Sequence, residues 1–165
     1  MSALDALLAT YLGLHAILAL LIDVQSVLPD LAPEVFAWYE KVGLTGVVAQ
    51  WAAQEGDFLV ATNPLWFKAI VFGEIVMQLP TCVALTYGFL AKREWVRVPS
   101  LLYATHVLTT MVPIMAVLCD DPRPTLTCKL VYGVWVVLPA LLMWRCAGTP
   151  PLFVAPPPKE QLKFA

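Results

Sequence analysis

The sequence predicts an all-α protein, a four-helix transmembrane bundle whose proline-kinked helices surround an intramembrane ligand cavity. Three observations predict it. Of the 165 residues, 60% are hydrophobic and only 13% are charged, with a mean hydropathy of +0.76. A soluble domain carries roughly 25% charged residues, so the charge here is too sparse for a water-facing surface and the bilayer is the solvent that fits. Four stretches, about residues 4–27, 66–90, 98–118 and 127–146, are long and apolar, and a helix needs about 20 such residues to cross the hydrocarbon core. Pro80, Pro113 and Pro139 fall inside three of them, and each proline removes a backbone hydrogen bond and bends its helix. A net charge of −2 with ten Lys and Arg leaves no basic stripe, which excludes nucleic acid as a partner. The abundance of apolar residues excludes disorder.

The first span lacks a basic leader and carries His15 and Asp23, so it reads as a retained helix and not a signal peptide. Residues 28–65 hold Phe36, Trp38, Tyr39, Val47, Val48 and Trp51 at loosely helical spacing, which predicts one or two short amphipathic helices lying on the membrane face or capping the bundle. The remaining three spans follow with short links. Residues 1–148 thus form one four-span domain, and residues 149–165 read as a Pro-rich cytoplasmic tail. Lys92, Arg93, Arg97, Arg145, Lys159 and Lys163 lie on one side, against Lys41, Lys68, Arg123 and Lys129 on the other. Basic residues favour the cytoplasm, which places both termini there. Cys119 and Cys128 flank the third loop, where a disulfide is sterically allowed. No CxxC or HExxH spacing occurs, so neither a metal nor a cofactor is called for.

Ionisable groups at membrane depth cost about 2.5–3.5 kcal/mol on insertion scales and mark functional positions. Asp23 lies where the first span ends, in Val24-Gln25-Ser26, and either faces the interior or caps the helix at the interface. Glu74 lies well inside the second span, with Gln78 at i+4 on the same face. The two point to a polar pocket or to an interhelical hydrogen bond. In the third span Tyr103, His106 and Thr110 share a face at i, i+3 and i+7. They line a pocket or bridge helices. His15 faces the same way as Asp23, and Tyr132 and Trp135 supply aromatic walls or an interfacial belt. Kinked helices around few polar groups bow apart over a cavity suited to a hydrophobic ligand with one polar or cationic handle. An amine would pair with Asp23 or Glu74, and a sterol hydroxyl would bond to Gln78, Thr110 or a carboxyl.

Five blocks in order, LIDVQSVLP (21–29), NPLWFKAIVFGEIVMQLP (63–80), LTYGFL (85–90), WVRVPSLLYATHVLTTMVPI (95–114) and VYGVWVVLP (131–139), resemble the EXPERA-domain family, in its sigma-2-receptor branch. That family also holds the emopamil-binding protein, a sterol isomerase. The resemblance implies that Asp23 pairs with the amine of cationic amphiphiles and that Asp57 is a second carboxylate orienting it. Glu74, Gln78, Tyr103, Thr110, Val131 and Tyr132 match pocket positions, with His15 nearby. Trp135 stands where the receptor has Tyr, and the basic retention tail is represented by Lys159 and Lys163.

The resemblance implies an endoplasmic-reticulum membrane protein that binds sterol or other lipid and cationic amphiphiles and acts in sterol homeostasis. Membrane lipids, a sterol-transporter partner and a homodimer are the assemblies it admits. The competing reading is a sterol isomerase of the Δ8–Δ7 type, or a related terpenoid isomerase, with Glu74, Asp23 and His106 moving protons. Ile70 stands where that isomerase would carry a His, one turn before Glu74, and this favours binding over catalysis.

Overall fold

The computed structural model describes residues 2–148 and 151–153, and among these no strand occurs. Four helical segments have the length and composition of membrane spans: Ala3–Ser26, Leu65–Leu90, Glu94–Asp120 and Leu126–Ala147. They match the four stretches expected from hydropathy.

Helix α1 (Ala3–Leu21) begins with a reciprocal cap, in which Ser2 Oγ accepts from the Asp5 amide at 3.0 Å and Asp5 Oδ2 accepts from the Ser2 amide at 3.3 Å. Such a cap satisfies two of the amides a helix start leaves free. The α-helix stops at Leu21 and tightens into a 3₁₀ turn over Asp23–Ser26. The segment that follows is subdivided more than its apolar spacing suggested: α2 (Leu28–Leu31), α3 (Pro33–Lys41), α4 (Leu44–Glu55) and α5 (Phe58–Thr62). Prolines and left-handed residues make the cuts. Pro33 opens α3, Gly43 (φ +82°) and Gly56 (φ +67°) bracket α4, and Asp57 caps α5 by accepting from the Val60 amide at 3.2 Å. The four short helices cover one end of the bundle. Tyr39 Oη donates to the Leu20 carbonyl at 2.6 Å and Asn63 Nδ2 to the Ser26 carbonyl at 2.7 Å, which pins this cap to the first span.

The second span is interrupted. Helix α6 (Leu65–Gly73) passes into a π turn over Glu74–Gln78 before α7 (Leu79–Leu90) resumes the α-helix. Pro80, in the first turn of α7, has no amide to give the carbonyl one turn back, and a widened turn is how a helix absorbs that loss. Pro113 and Pro139 lie inside α8 (Arg97–Asp120) and α9 (Leu126–Ala147), which run through them as continuous helices. Helix α1 lies along α7 and α8 along α9, with thinner contact between α7 and α8 and between α1 and α9, closing a ring of four.

Each end is tied by polar contacts. At the capped end Asp121 accepts from Arg123 Nε at 2.9 Å and Nη2 at 2.7 Å, and these bonds hold its carboxyl down to about 2. The Arg123 guanidinium also sits 4.3 Å above the Phe58 ring. At the opposite end Arg145 Nε donates to Asp5 Oδ1 at 2.9 Å, so the start of α1 and the end of α9 meet. Both oxygens of Glu94 accept backbone amides from Leu152 and Phe153, at 2.9 and 2.8 Å. The expected tail therefore has its residues 151–153 docked on the bundle; residues 149–150 and 154–165, with Lys159 and Lys163, lie outside the described residues. Cys119 is exposed, Cys128 is buried, and the two are not bridged.

Candidate functional site

All four spans and the cap wall a cavity of about 330 Å³, within the size range of pockets that hold drug-sized molecules. Most of the wall is aliphatic or aromatic, from Leu18, Ile22, Phe67, Ile70, Val71 and Met111, with Val47 and Val48 of α4 above. Into it project Asp23, Asp57, Glu74, Gln78, Thr110, His15 and Tyr132, with Trp135 and Val131 beside them. Of the site residues expected from sequence, only Tyr103 and His106 stand outside this lining.

Backbone features place the three carboxyls. Asp23 is carried by the 3₁₀ turn that ends the first span, so its side chain leaves the helix stripe and enters the space beneath the cap. Asp57 follows Gly56 at the break between α4 and α5 and is fully buried. Glu74 and Gln78 bound the π turn, and single π turns recur at functional sites because they re-aim side chains without ending a helix.

Their partners differ in kind. Asp57 Oδ2 accepts from the Trp51 indole at 3.0 Å and from Tyr132 Oη at 2.9 Å, while Oδ1 takes the Val60 amide at 3.2 Å. Glu74 Oε1 lies 2.6 Å from His15 Nε2, and His15 Nδ1 lies 2.5 Å from Tyr103 Oη, which is 2.7 Å from Tyr11 Oη. One proton assignment satisfies the whole chain: Tyr11 donates to Tyr103, Tyr103 to His15 Nδ1, and His15 Nε2–H to Glu74. Trp135 packs against the imidazole with ring centres 4.5 Å apart. Gln78 Nε2 and His106 Nδ1 pair at 2.9 Å. Asp23 forms no hydrogen bond within the described residues. Of the three carboxyls it is the one with neither oxygen hydrogen-bonded among the described residues.

His106 and Tyr103 border a smaller crevice between α7 and α8, shared with Met77, Gln78, Thr81, Pro99 and Leu102. Tyr103 reaches the main cavity through His15 alone, and His106 meets Gln78 and not Glu74. Thr110 turns its hydroxyl back to the Val107 carbonyl at 2.9 Å. Two participants escaped sequence reasoning, Trp51, visible only as an apolar residue of a loop, and Tyr11, part of an apolar run; His15 was expected near the site, but its pairing with Glu74 and Tyr103 was not.

The fold and the cavity together define a class: a four-span helical membrane protein with an apolar intramembrane chamber lined by three carboxyls. The comparison with known proteins gives that class its family. The description EXPERA (expanded EBP superfamily) matches residues 43–146, and the chain belongs to this family. Among its relatives is sigma intracellular receptor 2 of Homo sapiens, 34% identical over 155 residues that cover 83% of each chain. The Macaca fascicularis protein of the same name is 37% identical over 113 residues, 67% of this chain and 59% of its own. That of Xenopus tropicalis is 28% identical over 154 residues, 85% of each. The resemblance read from the sequence blocks is therefore upheld, and the chain is a sigma-2-receptor-like member of the EXPERA family. The matched family region starts after α1, so Asp23 and His15 join the site through the fold of the first span.

Proposed function

We propose that the cavity binds a bilayer-soluble amphiphile carrying one cationic or hydroxyl handle, with Asp23 as the group that receives it. The observation that carries this reading is the charge inventory of the wall. Among the described residues it holds three carboxyls and no Lys or Arg, and one of the three, Asp23, has no protein donor. A carboxylate withdrawn from water without a donor is costly, and a ligand ammonium supplies the missing partner. Asp57 shapes the same end of the chamber through Trp51 and Tyr132.

The biological reading that accompanies this site is binding of sterol or other lipid in sterol homeostasis, in the endoplasmic-reticulum membrane with both termini cytoplasmic. It is supported by the relatives, which are named as intracellular receptors, and by the larger number of basic residues on the side of the termini. A sterol-transporter partner and a homodimer belong to the same reading.

Binding of 4-phenyl-N,N-dimethylbutylamine, compared with its uncharged carbon isostere 5-methylhexylbenzene, tests the handle. After correction for partition into the lipid, the amine is expected to bind at least about tenfold tighter, the worth of one charge-assisted hydrogen bond at the low end. Equal affinities would remove the cation site.

One contact favours a second reading. Glu74 and His15 form a 2.6 Å pair on the cavity wall, an arrangement able to deliver a proton to one alkene carbon while another wall group removes a proton nearby. Under this isomerase reading a Δ8 sterol incubated with the protein yields a product with a shifted double bond, and Glu74→Gln abolishes the conversion while keeping the hydrogen bond to His15. Absence of product from the unaltered protein dismisses it.

A further inference from the structure

A ligand that fills the chamber has to enter it, and the wall is not equally firm all round. Helix α4 packs on its chain neighbours α3 and α5 and only thinly on the four spans. Its two flanking glycines are both left-handed, Gly43 at φ +82° and Gly56 at φ +67°, a backbone region that costs other residues about 1–2 kcal/mol. The two ends are held differently. A Cβ at Gly56 would fall 2.1 Å from the Arg123 carbonyl oxygen, and the Thr125 amide donates to the Glu55 carbonyl at 2.9 Å, so this end is anchored on the α8–α9 loop. A Cβ at Gly43 would meet nothing within 4 Å. Besides the Glu55–Thr125 contacts, the one side-chain hydrogen bond holding α4 down is Trp51 to Asp57, among the described residues. Val47 of α4 and Val131 of α9 both line the chamber and are 56% and 43% exposed, so the wall they form reaches the outer surface.

From these contacts we infer that α4 is a lid over the entrance of the cavity, pivoting at Gly56, unpacked around Gly43 four residues beyond the Tyr39 anchor, and latched by Trp51 on Asp57. The inference rests on the binding reading proposed above. The rim is apolar, so the entrance suits a molecule arriving from lipid. The latch uses the same Asp57 Oδ2 that accepts from Tyr132, so the closed lid and the α9 wall share one acceptor.

A reducible cross-link across the rim tests the lid on the full chain in lipid nanodiscs. Val47→Cys and Val131→Cys are combined in a Cys119→Ser background and joined with a disulfide-containing bismaleimide, with tritiated 4-phenyl-N,N-dimethylbutylamine as the probe. Cross-linking before loading is expected to slow association at least tenfold, and cross-linking after loading to slow dissociation by a similar factor. Reduction of the linker should restore both rates. Trp51→Phe keeps the ring and removes the latch, and should raise both rate constants about threefold to tenfold. Rates indifferent to a complete cross-link overturn the lid. So does a slowing obtained only when Met77→Cys and Leu102→Cys are joined across the α7–α8 crevice. Absence of saturable probe binding before any cross-link overturns the cavity reading and the lid with it.

Discussion

Asp23→Asn should lower the affinity for the amine probe more than a hundredfold while leaving the protein as stable as before. The two halves of this expectation come from the same observation. Breaking one side of a buried ion pair costs about 3–5 kcal/mol, and each 1.4 kcal/mol is about a factor of ten in dissociation constant. The loss exceeds that of an ordinary hydrogen bond because the ligand ammonium would be left without its counter-charge in an apolar chamber. Stability is spared because Asp23 makes no hydrogen bond among the described residues, so folding loses no partner there when the charge goes. Asp57→Asn separates the two effects. Asp57 accepts from three donors, Trp51, Tyr132 and the Val60 amide, and an amide cannot accept from all of them without turning an NH₂ toward one. Its expected signature is a lower melting temperature in detergent accompanied by weaker binding. If equilibrium titration showed Asp23→Asn binding the amine unchanged, the handle would lie elsewhere on the wall, and Glu74 would be the next carboxyl to examine.

The contrast between those two aspartates marks what a single sequence conveys and what it does not. The four spans were legible because membrane crossing imposes a length and a hydropathy that no other element needs. Pro80 announced a disturbance in the second span; its form, a π turn at Glu74–Gln78, depends on how the helix shares out the missing bond among its neighbours. Asp23, Glu74 and Gln78 stood out as polar groups in apolar runs, and the fold brings all three to one chamber. The pairings did not stand out. His15 meets Glu74 across 59 positions and Tyr103 meets Tyr11 across 92, and helical periodicity carries no information at such separations. For His106 the shared face with Tyr103 and Thr110 allowed either a pocket or a bridge between helices, and the structure shows the bridge, with Nδ1 paired to Gln78 beside a side crevice. The segment over residues 28–65 forms short capping helices as its spacing suggested, but more of them. Pro29, Pro33, Gly43 and Gly56 mark its breaks in the sequence, but its apolar spacing runs on through them, and the spacing was the louder signal.

Gly56→Ala should be among the most destabilising small substitutions outside the spans. Two penalties act together. Gly56 holds φ +67°, where an alanine costs about 1–2 kcal/mol. Its new Cβ would also lie 2.1 Å from the Arg123 carbonyl oxygen and 2.7 Å from the carbonyl carbon. Those are backbone atoms, unable to rotate away, so the α8–α9 loop or the end of α4 has to move, at about 1–3 kcal/mol for overpacking. The sum, about 2–5 kcal/mol, corresponds to a drop of about 4–20 °C in melting temperature at about 2–4 °C per kcal/mol for a chain of this size. Gly43→Ala is the internal control, because it shares the left-handed conformation at φ +82° but meets no neighbour within 4 Å. It should lose only the conformational part, about 1–2 kcal/mol. The gap between the two melting curves therefore measures the contact that anchors α4 to the α8–α9 loop. Equal shifts would mean that the contact relaxes at no cost, and α4 would then have no fixed end to pivot on. A large gap would carry through to binding as well, since displacing Gly56 moves Asp57 beside it, and with Asp57 go the Trp51 and Tyr132 hydrogen bonds that close that end of the chamber.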